Sequence, residues 1–424
     1  TNNVTTVARH HQTHAAAAFY LSPFKQALIV SYDGGGDDGH FNIYAANGTE
    51  IKLLKNIKSD FGGGYLLCGS LIREVAEKSR HQLALSGKLM GLCGYGKVIP
   101  EFVPAFEEFF FDRDYEKLAN WTNLPLKNID NPWKNPLDNW VFEGQYGYDI
   151  AATAQAGFED AFFSVLDRYD TDIPLIMTGG CALNIIHNTN IAKDREVYVS
   201  PNPSDVGLAV GLLCGHINPT KVVDTTYIGP PVWDRSELSR HLFERNHIKL
   251  DVEKLADVIL NGNVVGVVRG RSEHGPRALG NRSLICDATN PNMKDFMNVN
   301  IKNREWFRPF SPIVRLEDLN KYFEWTKESR CMTFSPPVRE EYRDKLRSVT
   351  HVDGTARVQT VTREQNEFIY DLLTMMDKKI GCGILLNTSF NIAGKPILNT
   401  YKDALWMLDN RDISGLVLED YYIL

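Results

Sequence analysis

No stretch of this 424-residue chain approaches ~20 consecutive apolar residues, so nothing in it reads as a membrane span. The seven cysteines, Cys68, Cys93, Cys181, Cys214, Cys286, Cys331 and Cys382, stand singly. None forms a CxxC pair, which excludes zinc-ribbon and thioredoxin-type readings. Scattered single thiols suit a reducing cytoplasm, where they act as small buried apolar groups. A strong basic excess is also missing: 46 Lys and Arg against 53 Asp and Glu leave a net charge of −7. That argues against a chain that coats nucleic acid, though not against a local basic groove. There is no low-complexity tract and no internal repeat, and Thr1-Asn2-Asn3 does not open a signal peptide. What remains is an ordinary globular mix, 43% hydrophobic and 23% charged. It excludes a disordered chain, a collagen-like chain and a small disulfide scaffold. At ~150 residues per domain the length predicts two or three domains.

The pattern along the chain predicts a hairpin over residues 27–44, with strand 27–32, a glycine-rich turn 33–39 and a return strand 40–44. Helical spacing appears over 64–82, where Leu67, Leu71, Ile72 and Val75 share a face. Residues 100–145, rich in aromatics, Asn and Pro, read as an insertion with short helices. They either line a cleft or pack ordinarily. An amphipathic helix follows over 148–169, then a buried strand 175–178 running into Gly179-Gly180, then a small-residue helix over 204–216. The proline-bearing segment 218–233 reads as a linker. Beyond it the pattern restarts with helices near 235–245 and 252–261 and a strand over 264–268. Two α/β domains are expected, 1–222 and 228–424.

Four motifs in the first half carry chemistry. His10 and His14 are four apart, so on a helix both imidazoles share a face, the spacing that gives two ligands to one metal. The zinc-protease glutamate is absent, since Gln12 and Thr13 lie between them, and simple packing of the two rings stays open. Asp33 stands at a strand-to-turn junction before Gly34, Gly35 and Gly36, whose N–H groups can cradle phosphate while the carboxylate faces a cation; a tight hairpin explains it equally. Gly179 and Gly180 lead from a buried strand to a helix start at Asn184, a nucleotide-binding geometry, although the chain has neither a GxGxxG nor a P-loop here. Asp205 either caps a helix or joins a site.

The second half is different. Arg269, Arg271, Arg277, Arg282, Lys302, Arg304, Arg308 and Arg357 recur in four segments: GRSEHGPRALGNRS (270–283), NIKNREWFRPFSP (300–312), THVDGTARVQTV (350–361) and LLNTSFNIAGKP (385–396). Guanidinium groups suit bidentate contacts to phosphate and carboxylate. So many cations beside glycines and aromatics point to a polyanionic small ligand, with salt bridges to acidic residues as the plain alternative.

Taken together in order, these segments resemble the O-carbamoyltransferase family of nodulation-factor, cephamycin and aminoglycoside biosynthesis. The motifs that carry the likeness are HHxxHAA, a DGxGD-like turn, KxMGLxxYG (88–96), GGCALN, PxxxDxG, GRxExGPRALGxRS, IKxREWFRPFxP, HVDGTARxQ and LNTSFNxxGxPI. The likeness covers nearly the whole chain.

The resemblance implies an α/β protein whose N-terminal domain is an actin/Hsp70-like ATPase-type fold and whose C-terminal domain is YrdC-like. It implies metal ligands His10, His14, Asp33 and Asp205, with iron(II) as the ion and manganese or zinc as alternatives. The GGCALN loop (Gly179, Gly180, Asn184) would hold adenosine, and Gly34, Gly35 and Gly36 would lie along phosphates. Arg277, Lys302, Arg308, Arg357 and Ser389 would bind carbamoyl phosphate and ATP with its magnesium. The implied chemistry makes carbamoyl-adenylate and passes its carbamoyl group to an acceptor hydroxyl of a small molecule: a sugar, an antibiotic or a nucleoside. A hydroxymethylated base of phage-type DNA is the alternative acceptor, and a nucleotide-binding module without transfer the alternative class. The family carries a further segment before the HHxxHAA motif, so a companion N-terminal segment or chain is expected, and a homodimer is possible.

Overall fold

The computed structural model describes residues 9–79, 81–122, 140–169, 172–220, 224–392 and 394–424. Part of the aromatic stretch, 123–139, thus lies outside the described residues, as do 221–223 of the linker. The chain divides into two compact units, Thr1–Asp224 and Thr225–Leu424.

The first unit is built on a five-stranded sheet. β1 (Gln26–Gly36), β2 (Gly39–Asn47) and β3 (Glu50–Ile57) form an antiparallel meander, so the expected hairpin gains a third strand. The Asn47-Gly48 turn, with Gly48 at φ +64, makes that extra reversal. β4 (Leu175–Thr178) runs parallel beside β1 and β5 (Val197–Val199) parallel beside β4. The strand order is β3-β2-β1-β4-β5.

Helices cover both faces. On one, α1 (His10–Tyr20) lies against the sheet through its alanines: Ala15, Ala18 and Phe19 pack with Ile29, Tyr44 and Ile176. Small side chains let α1 come close, and the helix Leu208–Ile217 comes closer still. A Cβ on Gly211 would stand 2.3 Å from the Thr13 carbonyl oxygen, so only glycine fits there. On the other face α2 (Phe61–Ser70) and α3 (Gly144–Leu166) bury Phe61, Phe158 and Phe162 against Tyr32 and Phe41, with rings 5.2–6.4 Å apart. Each such ring fully removed from water contributes ~1.5–3 kcal/mol, which makes this aromatic layer a main source of the unit's stability. The helical spacing over 64–82 resolves into α2 and a short turn, Arg73–Ala76, broken at Leu71 and Ile72. The break is where Phe142 and Val141 donate to the Leu71 carbonyl, so a tertiary strand-like contact overrides local periodicity.

The second unit has an eight-stranded mixed sheet. In spatial order its strands are Gln359–Val361, Ser311–Arg315, Ile384–Ser389, Arg282–Asp287, Val265–Val268, Gly415–Leu418, Tyr421–Ile423 and His247–Lys249. Helices Val252–Leu260 and Glu367–Ile380 cover one face through Leu255, Ile259, Ile369, Leu372, Leu373 and Met376, packed on Val265, Val267, Ile285, Ile313, Leu385 and Val417. The register matters for function. Ser389 pairs with Ser283, Asn387 with Ser311, and Gln359 with Ile313. One rim of the sheet therefore collects the end of strand 384–389 and the starts of strands 282–287, 311–315 and 359–361. The four cation-bearing segments meet at that rim.

Candidate functional site

In the first unit, α1 begins directly over the β1–β2 hairpin. Its first N–H groups find no local capping side chain. Instead Asp37 accepts from the His10 N–H (2.8 Å), and Asp38 accepts from the N–H groups of His11 (2.9 Å) and Gln12 (3.3 Å). Carboxylates at a helix N-terminus satisfy orphan donors and oppose the helix dipole. His11 adds a lock, with Nδ1 2.8 Å from Ser31 Oγ and Nε2 3.0 Å from the Gly39 carbonyl oxygen. The helix is thereby tied to the hairpin that carries Asp33.

This tie brings His10, His14, Asp33 and Asp205 together, with one ligand atom from each within 4.8 Å of all the others. His14 Nε2 lies 3.2 Å from His10 Nε2, 3.5 Å from Asp33 Oδ2 and 3.4 Å from Asp205 Oδ1. His10 Nε2 lies 3.6 Å from the same Asp205 oxygen. One imidazole nitrogen facing three acceptors can donate a hydrogen to only one of them. A cation among the four atoms satisfies all at once. Metal–ligand bonds of ~2.0–2.2 Å in a tetrahedron set donors ~3.4 Å apart, which is the spacing seen. The donor set therefore fits a divalent ion that accepts nitrogen and oxygen ligands, such as iron(II), manganese or zinc.

Asp33 is prepared for that role. Burial alone would raise its carboxyl, but the His14 contact and the N–H groups of Gly180 (2.6 Å) and Gly34 (2.6 Å) outweigh it and hold it below the ordinary carboxylate range. The N–H groups of Gly34, expected along phosphates, and of Gly180, expected at adenosine, here bind Asp33. Gly36 leaves room for His10, since a Cβ there would lie 2.6 Å from the His10 ring. Gly179, at φ +88, passes so close to the Tyr32 carbonyl that a Cβ would stand 2.1 Å from its oxygen. Asn184 is buried: its Oδ1 accepts from the His187 N–H and caps Ile185–Asp194, while its Nδ2 donates to Gln155 Oε1 (3.0 Å).

In the second unit the sheet rim gathers cations. Burial lowers Arg277 to about 10, with Arg308 as its charged neighbour. Burial also lowers Arg304 and Arg357 well below the ordinary arginine value; Arg308 adds to both, and Arg277 and Arg304 add to Arg357. Lys302 is lowered well below its usual value by burial, then by Arg304 and Arg308. Five cations thus repel one another in a poorly hydrated place. Glu305, whose Oε2 lies 3.6 Å from Arg308, is the carboxylate paired to this group among the described residues. Arg277 Nε is buried without a hydrogen-bond partner among the described residues. Such an arrangement is costly empty and favourable around a polyanion.

The remaining members are positioned by backbone. Lys302 ends a π-helical turn, Met297–Lys302, and donates to the carbonyl oxygens of Ser389 (2.7 Å) and Asn391 (2.8 Å) and to Asn391 Oδ1 (2.6 Å). Ser389 Oγ lies 3.2 Å from Lys302 Nζ and donates to Asn391 Oδ1 (2.6 Å). Arg357 Nε donates to Ser311 Oγ (2.8 Å). Arg304 donates to Asn298 Oδ1 (2.7 Å) and lies over the Phe310 ring at 4.3 Å.

The other recurring arginines have structural partners instead. Arg282 is fully buried and donates to the carbonyl oxygens of Arg269, Gly270 and Asn281. Arg269 pairs with Asp420 at 2.8 Å, and Arg271 donates to the Ile228 carbonyl. Arg269 thus follows the plain alternative, a salt bridge, while Arg271 and Arg282 hold backbone. The sequence reading did not single out Asp37, Asp38, Glu273 or Asn391. Glu273 Oε1 accepts from the N–H groups of Leu279, Asn281 and Arg282 and so shapes the loop that carries Arg277. Partners six to nine residues away leave no local signature that could have revealed it.

Comparison with known proteins adds a second line. Residues 2–214 match the family described as Carbamoyltransferase N-terminus, and residues 256–424 match Carbamoyltransferase C-terminus. Nodulation protein NolNO of Sinorhizobium fredii is 34% identical over 441 residues, covering 98% of this chain and 63% of that protein. Nodulation protein NolO of Bradyrhizobium diazoefficiens is 32% identical, covering 98% of this chain and 78% of that protein. The 3'-hydroxymethylcephem-O-carbamoyltransferase of Streptomyces clavuligerus is 36% identical over 259 residues, 58% of this chain and 48% of that enzyme. The chain thus spans just under two thirds of NolNO and about half of the cephem enzyme is matched.

Proposed function

Because this chain belongs to the carbamoyltransferase family, we propose that it is an ATP-dependent O-carbamoyltransferase acting on a hydroxyl of a small molecule. The observation that carries the reading is the group of mutually repelling cations at the second unit's sheet rim, with a buried, partnerless Arg277 Nε. Carbamoyl phosphate and ATP with magnesium are polyanions of the kind that would relieve it.

The chemistry follows from charge. Water hydrolyses carbamoyl phosphate, giving carbamate and inorganic phosphate; a carbamate oxygen then attacks the α-phosphorus of ATP, the bond to the β-phosphate oxygen breaks and pyrophosphate leaves. Negative charge accumulates at both centres, and Arg277, Arg308 and Arg357 stabilise it best where water is scarce. Lys302 keeps the Ser389–Asn391 backbone in register with that charge. The carbamoyl-adenylate then serves the first unit, where an acceptor oxygen attacks the carbamoyl carbon and AMP departs. His10, His14, Asp33 and Asp205 would hold a divalent ion, iron(II) first, and such an ion would supply Lewis acidity in the transfer step. The actin/Hsp70-like and YrdC-like assignments belong to the same proposal, supported by two separate mixed sheets. So do a homodimer and a companion N-terminal segment.

The test is product analysis by mass spectrometry with carbamoyl phosphate, ATP and a panel of hydroxyl-bearing acceptors. Pyrophosphate release should depend on carbamoyl phosphate. His14→Ala should abolish O-carbamate while pyrophosphate release continues. ATP binding with no pyrophosphate release would instead leave a nucleotide-binding module, and carbamoylation only of a hydroxymethylated base in duplex DNA would move the acceptor to a polymer.

A further inference from the structure

The cation rim of the second unit also holds an unmet acceptor. Asn387 is fully buried on strand Ile384–Ser389, two residues before Ser389 and so on the same face of the sheet. Its register partner is Ser311, whose Oγ accepts from Arg357 Nε (2.8 Å). Residues paired across a ladder share a face, so Ser311, Asn387 and Ser389 line one patch, with Arg357 bound to one end and Lys302 to the other. The loop that carries Arg277 is fastened to this patch. Ser283 Oγ accepts from the Gly280 N–H (2.9 Å), and Gln359 Nε2 donates to the Leu279 carbonyl (2.8 Å). Asn387 Nδ2 donates to the Ala278 carbonyl (2.9 Å) and to Gln359 Oε1 (2.7 Å). Both amide hydrogens are thereby spent, and the two oxygens they face set which way round the amide lies. Asn387 Oδ1 is left buried with no hydrogen-bond partner among the described residues. An acceptor so placed has lost the donors that water gave it. Arg277, whose Nε is the unmet donor, is the neighbour of Ala278 in the same loop.

Guanidinium and ammonium groups recognise oxygens, and every acyl phosphate offers those alike. Carbamoyl phosphate differs from acetyl phosphate in a single group, NH2 in place of a methyl of nearly the same size. Cations cannot read that difference, because the NH2 is itself a donor; an acceptor oxygen can. Ser311 Oγ already accepts from Arg357, and Asn391 Oδ1 from Lys302 and Ser389. We propose that Asn387 Oδ1 accepts a hydrogen from the carbamoyl NH2 and so selects carbamoyl phosphate over acyl phosphates of the same size. This rests on the function proposed above. The NH2 passes unchanged from carbamoyl phosphate to carbamate and on to the adenylate, so one oxygen serves both steps. A methyl group in its place leaves Oδ1 unmet. A site built to hydrogen-bond an N–H rejects the analogue lacking it by up to roughly 10⁴–10⁵-fold.

The full chain is supplied with ATP, magnesium and either carbamoyl phosphate or acetyl phosphate, and kcat/KM for pyrophosphate release is measured with each donor. The parent should prefer carbamoyl phosphate by at least about 10³-fold. In Asn387→Leu that preference should fall to within about ten-fold of unity, through a loss with carbamoyl phosphate rather than with acetyl phosphate. Inhibition by inorganic phosphate, which needs the arginines and not Oδ1, should stay within about three-fold of the parent; a general collapse of the rim would abolish it. Asn387→Asp keeps an acceptor oxygen on the same skeleton and should keep the preference, so the role can be read even where the leucine variant does not fold. A preference unchanged in Asn387→Leu, a preference lost in Asn387→Asp, or a parent that uses both donors equally overturns the role of Asn387 and leaves the transferase reading intact. A parent that releases pyrophosphate with neither donor overturns both.

Discussion

His187 shows what a single side chain can do to the whole unit's behaviour. It is fully buried among Phe158, Phe162, Phe163 and Tyr32, its ring 4.3–6.4 Å from theirs, and neither ring nitrogen has a hydrogen-bond partner among the described residues. Burial pushes its pKa down to about 3 from an ordinary ~6.5. The folded state keeps it neutral, whereas the unfolded chain binds a proton below pH ~6.5. Stability from this residue is thus complete above that pH and is lost as pH falls toward 3, at up to ~1.4 kcal/mol per unit. Denaturant midpoints followed from pH 7 to 4 should decline steeply in the parent and flatten in His187→Leu. From sequence this residue was silent, because a histidine inside a helix gives no sign of which rings will surround it. His10 and His14 were legible for the opposite reason, sharing a helical face by spacing alone, whereas Asp33 and Asp205 joined them only through the likeness to the carbamoyltransferases.

At the scale of elements, the important fact is that α1 is capped from a distance. The hairpin and the buried strand 175–178 followed from composition and alternation, as did α3 and the first two helices of the second unit, while Glu367–Ile380 and Tyr401–Asn410 did not. The third strand of the meander did not, since Glu50–Ile57 is largely exposed and alternates poorly. Nor did the capping of α1, because Asp37 and Asp38 lie 26 to 27 residues from the N–H groups they bind. A capping side chain is worth ~0.5–2 kcal/mol. Asp38→Ala should therefore loosen the first turn and weaken metal binding by roughly three- to thirty-fold, read by titrating the metal-free protein with manganese or zinc. Pyrophosphate release should stay within two-fold, because Asp38 belongs to the first unit.

Across the molecule, the two units divide the chemistry by charge. The first concentrates histidine and aspartate, the second arginine and lysine. Substitutions in the two groups should therefore be read out on different steps. Arg357→Ala is expected to cut pyrophosphate release at least a hundredfold, yet metal content per chain, read by elemental analysis, should match the parent. The arginines were legible as a class but not individually: sequence could not tell fully buried Arg282, spent on carbonyl oxygens, from Arg357 at the rim. Strand register makes that distinction, and register is not written locally.

The tie between α1 and its hairpin has one more consequence. His10, His14 and Asp33 ride on a single braced piece, whereas Asp205 comes from a separate turn with its side chain 67% exposed. An ion there would be gripped by a three-toothed claw with one swinging finger, and it is through the lifting of that finger that cargo would come and go.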